Sequence, residues 1–218
     1  MSTVSDTKTL QNEILLSSFL DMVRAKDGDF TALDSLRRAC MVDESYETMI
    51  RKICSNPQGK NAFKKRIRLG DIDLSELRNL SNNTLGYLYA EHMLQNQLKP
   101  LKGHSAESDY QFLGTHLAET HDIWHVVIGS KTDILGEIQL EAFYVAQLET
   151  SRFWLALLAK NLLKAVVYDI DSSTQYMEAL TKGWSMGRKA EPLFGTDWNS
   201  LWATSINEVR SSLNILAV

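Results

Sequence analysis

Two histidines and an aspartate near the middle of the chain have the spacing of a metal site. His121 and His125 are separated by three residues, and Asp122 follows His121 directly. On an α-helix, residues four apart lie one turn apart on the same face, so both imidazoles would face one point. Neutral imidazole is a good ligand for zinc or iron. Asp122 would lie about 100° round the helix, either as a ligand at the edge of this face or as a hydrogen-bond partner that orients an imidazole.

A carboxylate follows at a distance that a helical hairpin would bring back to the histidine pair. Eleven residues, which include Gly129, Ser130 and Thr132, separate His125 from Glu137. They indicate a helix end, a short turn and a new helix start. Carboxylates from facing helices of a bundle often complete a metal site. Two histidines and one carboxylate suit catalytic zinc or non-haem iron with open positions. The predicted cofactor is a divalent metal, zinc first, with iron or magnesium as alternatives.

Other interpretations of the histidine pair remain open on the residues alone. A helical His pair is common in surfaces and cores without any metal. The metalloprotease pattern needs a glutamate after the first histidine, where this chain has Asp122. A phosphohydrolase of the His-Asp class would need more ligands, which His92, His104 or His116 would have to supply. We expect His116 to lie behind the metal ligands, and His92 and His104 to be solvent-exposed or structural.

The elements that must position these residues are helices. The chain has 218 residues but only three prolines, and it shows neither alternating strand patterns nor Asn-Gly or Asp-Gly hairpin turns. Apolar residues at helical spacing predominate. We predict an all-α, single-domain, multi-helix bundle over residues 1–218, with N-terminal helices in residues 1–70. A helix over residues 109–128 and a second over 134–168, with or without a kink, would form a long hairpin carrying the metal site.

Composition and charge narrow the classes of function. Hydrophobic residues make up 44% of the chain and the formal net charge is -4, which suits a globular protein and disfavours nucleic-acid binding. The basic run from Lys60 to Arg68 fits a solvated helix face better than a phosphate site. Cys40 and Cys54 suit buried thiols in a reducing compartment. Neither a membrane span nor a mitochondrial presequence or signal peptide is recognisable, so a cytoplasmic location, or one peripheral to the inner membrane, is expected.

The motif and its flanks resemble a known family. His121-Asp122-x-x-His125, eleven residues and then Glu137 is similar to the signature of the Coq4 family of ubiquinone (coenzyme Q) biosynthesis proteins. The flanking matches lie upstream at Thr84-Leu85-Gly86-x-x-Tyr89 and downstream at Arg210-x-x-Leu213-x-Ile215. Further matches within the same region are Asp109, Glu119, Glu141 and Gln147. The resemblance covers roughly residues 73–218.

The resemblance implies a fold, a cofactor and partners. Family members are helical, and the motif residues hold a divalent metal, usually zinc; carried over, the ligands are His121, Asp122, His125 and Glu137. Members associate with membranes and with other quinone-biosynthesis proteins. They are implicated in binding the prenylated intermediate and in oxidative removal of the ring carboxyl at its first carbon. Family members often have arginines in the helix before the motif, where this chain has Gly114-Thr115-His116. The contacts that such arginines would make to a carboxylate or phosphate are therefore in doubt. The chain is similar to bacterial members.

A prenylated substrate would need an apolar groove beside the metal. Candidate lining residues are Tyr87, Phe143, Phe153, Trp154 and Leu157, although ordinary core packing explains the same residues. Trp184, Trp198 and Trp202 fit core, a dimer interface or membrane contact, and we expect the protein to form a homo-oligomer such as a homodimer. The two functional alternatives are a lipid-binding scaffold with a structural metal and a metal-dependent hydrolase unrelated to quinones.

Overall fold

The helix that carries the histidine pair has strong signals at both ends. In the computed structural model, Ser108 and Gln111 form a capping box at the N-terminus of Asp109–Ile128, the bounds predicted from the sequence. At the other end Gly129 has a φ of +69°, the left-handed conformation that commonly ends a helix. Asp133 then caps the next helix by accepting a hydrogen bond from the Gly136 amide. Local sequence therefore defines both helices that border the turn.

The structure describes residues 3–26, 29–41, 44–102, 106–149 and 151–215, and this part contains helices and no strand. The all-α prediction is confirmed. His104, one of the histidines considered above, lies outside the described residues. The α-helices are α1 Thr3–Arg24, α2 Phe30–Cys40, α3 Glu44–Ser55, α4 Pro57–Lys65, α5 Leu74–Arg78, α6 Leu85–Gln95, α7 Asp109–Ile128, α8 Ile134–Leu148, α9 Arg152–Tyr168, α10 Ser173–Lys189 and α11 Ile206–Ser212.

The predicted second arm of the hairpin is two helices. α8 ends at Leu148, where Glu149 adopts a φ of +52°, and α9 begins after Ser151, whose side chain accepts a hydrogen bond from the Trp154 amide. A cap of this kind satisfies an amide that has no partner within the helix. The break turns α9 back beside α8, so residues of α9 can face Glu137.

Close contact between α8 and α10 holds α8 in place. A Cβ atom on Gly183 of α10 would lie 1.9 Å from the Gln139 carbonyl oxygen, and one on Gly187 would lie 2.9 Å from the Phe143 carbonyl oxygen. Only glycine allows two helix backbones to approach so closely. α8 therefore packs mainly on α10, while large side chains fill the space between α8 and α7.

The main core surrounds α7, most of whose residues are buried. Of the three C-terminal tryptophans, Trp198 is buried, Trp202 packs against Tyr89, and Trp184 is 45% exposed on α10. No helix in the described ranges is both long and apolar enough to cross a membrane.

Candidate metal centre

Three of the four predicted metal ligands converge at the turn between α7 and α8. One nitrogen each from His121 and His125 and one oxygen from Glu137 all lie within 4.8 Å of one another. The imidazole rings of His121 and His125 meet edge to face with centroids 4.9 Å apart. His125 is buried, whereas His121 and Glu137 keep part of their surface exposed. The triad therefore has a buried side and a side open to solvent.

His125 is oriented with a free nitrogen toward Glu137. Its Nδ1 lies 2.9 Å from the Ser130 hydroxyl, and its Nε2 is buried without a hydrogen-bond partner among the described residues. That Nε2 lies 3.2 Å from Glu137 Oε1. Two ligands of a tetrahedral ion at ordinary Zn–N and Zn–O distances are roughly 3.3 Å apart. The unpartnered Nε2 and its spacing from Glu137 thus fit a shared metal ion.

The charges of the triad favour the protonation states that a metal requires. Burial, together with the nearby ring of His125, lowers the pKa of His121 below its ordinary value. Burial opposes ionisation of Glu137, but the facing His125 and His121 outweigh it and lower the pKa of that carboxyl. Metal ligands must be neutral imidazole and ionised carboxylate. Both residues hold those forms at neutral pH without a metal.

Asp122 lies beside the triad and faces a different histidine. Its Oδ1 is 3.8 Å from Nε2 of His92 on α6. Burial opposes its ionisation, but His92 and His121 lower the pKa of Asp122 below its usual range. The ring of His92 also stacks on His125, with centroids 5.7 Å apart. Of the two roles expected for His92, solvent exposure is wrong, because its side chain is only 12% exposed and points at the candidate centre. A structural role is not contradicted.

An aromatic stack borders the triad on the α8–α9 side. The rings of Tyr144 and Trp154 are parallel with centroids 3.8 Å apart, and Trp124 continues the stack at 4.2 Å from Tyr144. His121 is parallel to Trp154 with 6.1 Å between centroids. Of the five predicted lipid-lining residues, Trp154 is therefore the one whose ring contacts a triad residue.

The other four predicted lipid-lining residues have different surroundings. Phe143 is fully buried and meets Trp124 edge to face, and Leu157 is also part of the core. Phe153 is partly buried and packs on Trp154. Tyr87 is partly exposed on α6. Core packing is thus the observed role of Phe143 and Leu157.

A buried polar cluster extends from the triad between α8 and α9. Glu141, one turn after Glu137, accepts a 2.8 Å hydrogen bond from Nδ2 of Asn161, and Lys160 is buried nearby. Burial raises the pKa of Glu141 to about 8, since the attraction of Lys160 offsets only part of the desolvation. Glu141 is therefore mainly protonated at neutral pH. This leaves the positive charge of Lys160 to act on Glu137, whose pKa it lowers.

Contacts from distant segments hold α7 at its C-terminal end and near its middle. Arg210 of α11 donates from Nε to the Val127 carbonyl at 2.8 Å and from Nη2 to the Val126 carbonyl at 3.0 Å. His116, expected behind the metal ligands, instead joins two loops: its Nδ1 bonds the Ile67 carbonyl and its Nε2 accepts from the Gly195 amide. Its position in sequence, five residues before His121, turns it away from the site.

Comparison with known proteins agrees with this arrangement of helices. Residues 5–218 match the sequence family described as "Coenzyme Q (ubiquinone) biosynthesis protein Coq4". The chain belongs to the Coq4 family. The match includes most of the N-terminal helices, whereas the resemblance noted from motifs began near residue 73. Membership places the chain in ubiquinone biosynthesis.

Several curated relatives in the Coq4 family come from insects. The Anopheles gambiae ubiquinone biosynthesis protein COQ4 homolog, a mitochondrial protein, is 25% identical over 94% of this chain and 77% of its own length. The Drosophila sechellia homolog is 26% identical over 94% of this chain and 81% of its own length. A crystal structure from Nostoc punctiforme PCC 73102, of a protein named for ubiquinone biosynthesis, has a TM-score of 0.85, 24% identity, and coverage of 94% of this chain and 99% of that chain. The Coq4 chain thus shares its fold with a bacterial protein.

Sequence reasoning missed two residues next to the triad. Ser130 was noted only as part of the turn, although a hydroxyl five residues after a helical histidine, just past a C-terminal glycine, can fold back onto that ring. His92 lies on α6, and the apolar residues around it in the sequence do not indicate that it faces Asp122 of α7. His92 faces Asp122 because of how α6 packs along α7, and contacts between distant segments determine that packing.

Proposed function

We propose that this Coq4-family protein binds one divalent metal ion at His121, His125 and Glu137, with Asp122 beside them, and handles a prenylated aromatic intermediate of ubiquinone biosynthesis there. The convergence of the three ligand atoms within 4.8 Å supports this proposal most directly. Zinc suits two imidazoles and one carboxylate best, iron is compatible, and magnesium prefers oxygen ligands. A bound ion would polarise a substituent of the aromatic ring or lower the pKa of a bound water.

The residues around the triad suit an aromatic acid with an apolar tail. The exposed edges of His121 and Glu137 provide access from solvent. Trp154, which stacks on one face of the fully buried Tyr144 ring, borders the same space and favours stacking against a planar ring. Lys160 supplies a buried positive charge in the α8–α9 interface. We propose that ring binding uses this aromatic border and that the tail extends past Trp154 and Phe153.

Oxidative removal of the ring carboxyl is the reaction implied by the family resemblance. The partly open triad favours this catalytic role, because a catalytic metal needs a position for substrate or water. The scaffold alternative has the same metal and lipid but no turnover. Membership of the Coq4 family argues against the unrelated hydrolase.

Metal and lipid analysis of the purified protein tests the proposal. After reconstitution with zinc, we expect about one ion per chain in the natural protein and in Glu178→Gln, which alters an exposed carboxylate on α10, but little in Glu137→Gln or His121→Ala. Organic extraction should release a prenyl lipid identified by mass spectrometry. Full metal occupancy of His121→Ala would contradict the metal assignment. Turnover of a prenylated hydroxybenzoate in air, lost in Glu137→Gln, separates enzyme from scaffold.

A peripheral membrane contact is part of the same proposal. The end of α9 and the turn after it expose Val166, Val167, Tyr168 and Ile170, each more than half accessible to solvent. Adjacent exposed apolar residues on a soluble domain often mark a binding surface. Co-sedimentation with phosphatidylglycerol and phosphatidylethanolamine vesicles should fall when Val167 and Tyr168 are changed to serine, and unchanged sedimentation would contradict this contact.

A further inference from the structure

We propose that His92 is a positioning residue of the metal centre, which donates a hydrogen bond from Nε2 to Asp122 and keeps that carboxylate beside the His121–His125–Glu137 triad. This inference rests on the proposed metal binding. It adds a fifth residue, from a third helix, to the four that the motif provides.

The fold directs His92 toward the centre. Leu85, Tyr89 and Met93 of α6 are buried in the main core, and His92 lies next to them, one turn after Tyr89. Its ring stacks on that of His125 with an interplanar angle of 27°. The stack fixes the plane of the His92 ring and turns its Nε2 toward the part of α7 that holds Asp122. The packing of α6 on α7 therefore determines this encounter.

A buried nitrogen of His92 faces the Asp122 carboxylate. Nε2 of His92 is buried without a hydrogen bond among the described residues. This Nε2 lies 3.8 Å from Oδ1 of the Asp122 carboxylate. A buried polar atom without a partner is costly, so such atoms are nearly always satisfied. A buried nitrogen that has no partner among the described residues and faces a carboxylate points to a hydrogen bond between the two groups.

The two atoms are close to hydrogen-bond range. At 3.8 Å the pair is about 1 Å beyond a direct hydrogen bond. A small side-chain rotation closes this gap. A metal ion at the triad would draw the Asp122 carboxylate toward its charge. His92 would then hold the carboxylate in place from the opposite side, as groups behind metal ligands commonly do.

Two substitutions separate positioning from packing. His92→Phe keeps a planar ring against His125 but removes both nitrogens, whereas His92→Gln places an amide nitrogen near the position of Nε2 and can still donate to Asp122. The measurement is the zinc dissociation constant of the full chain, from competition with a chromophoric chelator. Circular dichroism and the melting temperature of the metal-free protein show whether each variant folds.

We expect His92→Phe to weaken zinc binding about 10- to 100-fold, and His92→Gln to remain within about threefold of the natural protein. Wild-type affinity in folded His92→Phe would overturn the inference, and so would an equal loss in both variants. His121→Ala in the same titration separates the two proposals. If it loses zinc while His92→Phe keeps it, only the role of His92 fails; if it keeps zinc, the metal centre itself fails.

Discussion

Removing the hydroxyl of Ser130 is predicted to weaken metal binding while leaving the fold intact. In the structure this hydroxyl lies 2.9 Å from Nδ1 of His125, and both residues are buried. With Nδ1 protonated and donating to Ser130, Nε2 is the nitrogen left unprotonated and able to bind a metal. Ser130→Ala leaves the Nδ1 proton without a partner and frees the ring to rotate.

The expected magnitude has two parts. A buried donor that loses its partner costs about 1–3 kcal/mol of stability. Loss of a group that orients a metal ligand typically weakens metal affinity about 10- to 100-fold, which equals about 1.4–2.8 kcal/mol. Ser130→Ala should therefore lower the free energy of unfolding modestly and raise the zinc dissociation constant at least tenfold.

The assay is a zinc titration of the metal-free protein by chelator competition, with urea unfolding alongside. Ser130→Thr keeps the hydroxyl and should retain most of the affinity. Ser108→Ala is a matched control at the other end of α7, where it removes an N-cap. It should cost about 1 kcal/mol of stability and leave zinc affinity unchanged. Natural affinity in folded Ser130→Ala would refute the proposed orientation of His125.

The remaining predictions concern stability. Arg68→Met should cost about 3–5 kcal/mol in urea unfolding, because it leaves the buried Glu119 carboxylate without the guanidinium that it contacts at 2.6 Å; a loss under 1 kcal/mol would contradict this. Because the pKa of Glu141 is raised to about 8 in the fold, its contribution to stability is present below about pH 4.5 and declines as pH rises toward 8. Glu141→Gln should flatten this decline in melting temperature, and an unchanged pH slope would argue against it. Gly183→Ala should lower the free energy of unfolding by about 1–3 kcal/mol, since its Cβ would meet a carbonyl of α8. Ser185→Ala, on the exposed side of α10, is the control that should leave stability unchanged. A Gly183→Ala protein as stable as that control would refute the close packing of α8 and α10.

Local sequence signals predicted the turn between α7 and α8 well. The bounds of α7 and the end at Gly129 follow from a capping pair and a glycine, which act within a few residues. Glu137 reaches His125 because the turn is short and α8 starts directly after it. These features depend on neighbours in the chain, so they are visible without a fold.

Other features depend on contacts between distant segments. The break between α8 and α9 has no proline or glycine, and the cap provided by Ser151 is a weak signal inside an otherwise continuous apolar pattern. Phe143 and Leu157 are suited to a lipid groove by composition, but the packing of α8 places them in the core. His92 meets Asp122 only through the register of two helices. Packing between distant segments determines these three features, so local patterns in one sequence do not predict them.

X-ray absorption spectroscopy of the zinc-loaded protein tests the central claim most directly. The structure predicts a first shell of nitrogen and oxygen at about 2.0–2.1 Å, with the multiple scattering of two imidazoles and no sulfur. In His125→Ala one imidazole contribution should disappear, together with most of the bound zinc. A shell without imidazole, or an unchanged spectrum and zinc content in His125→Ala, would contradict a metal centre at His121, His125 and Glu137.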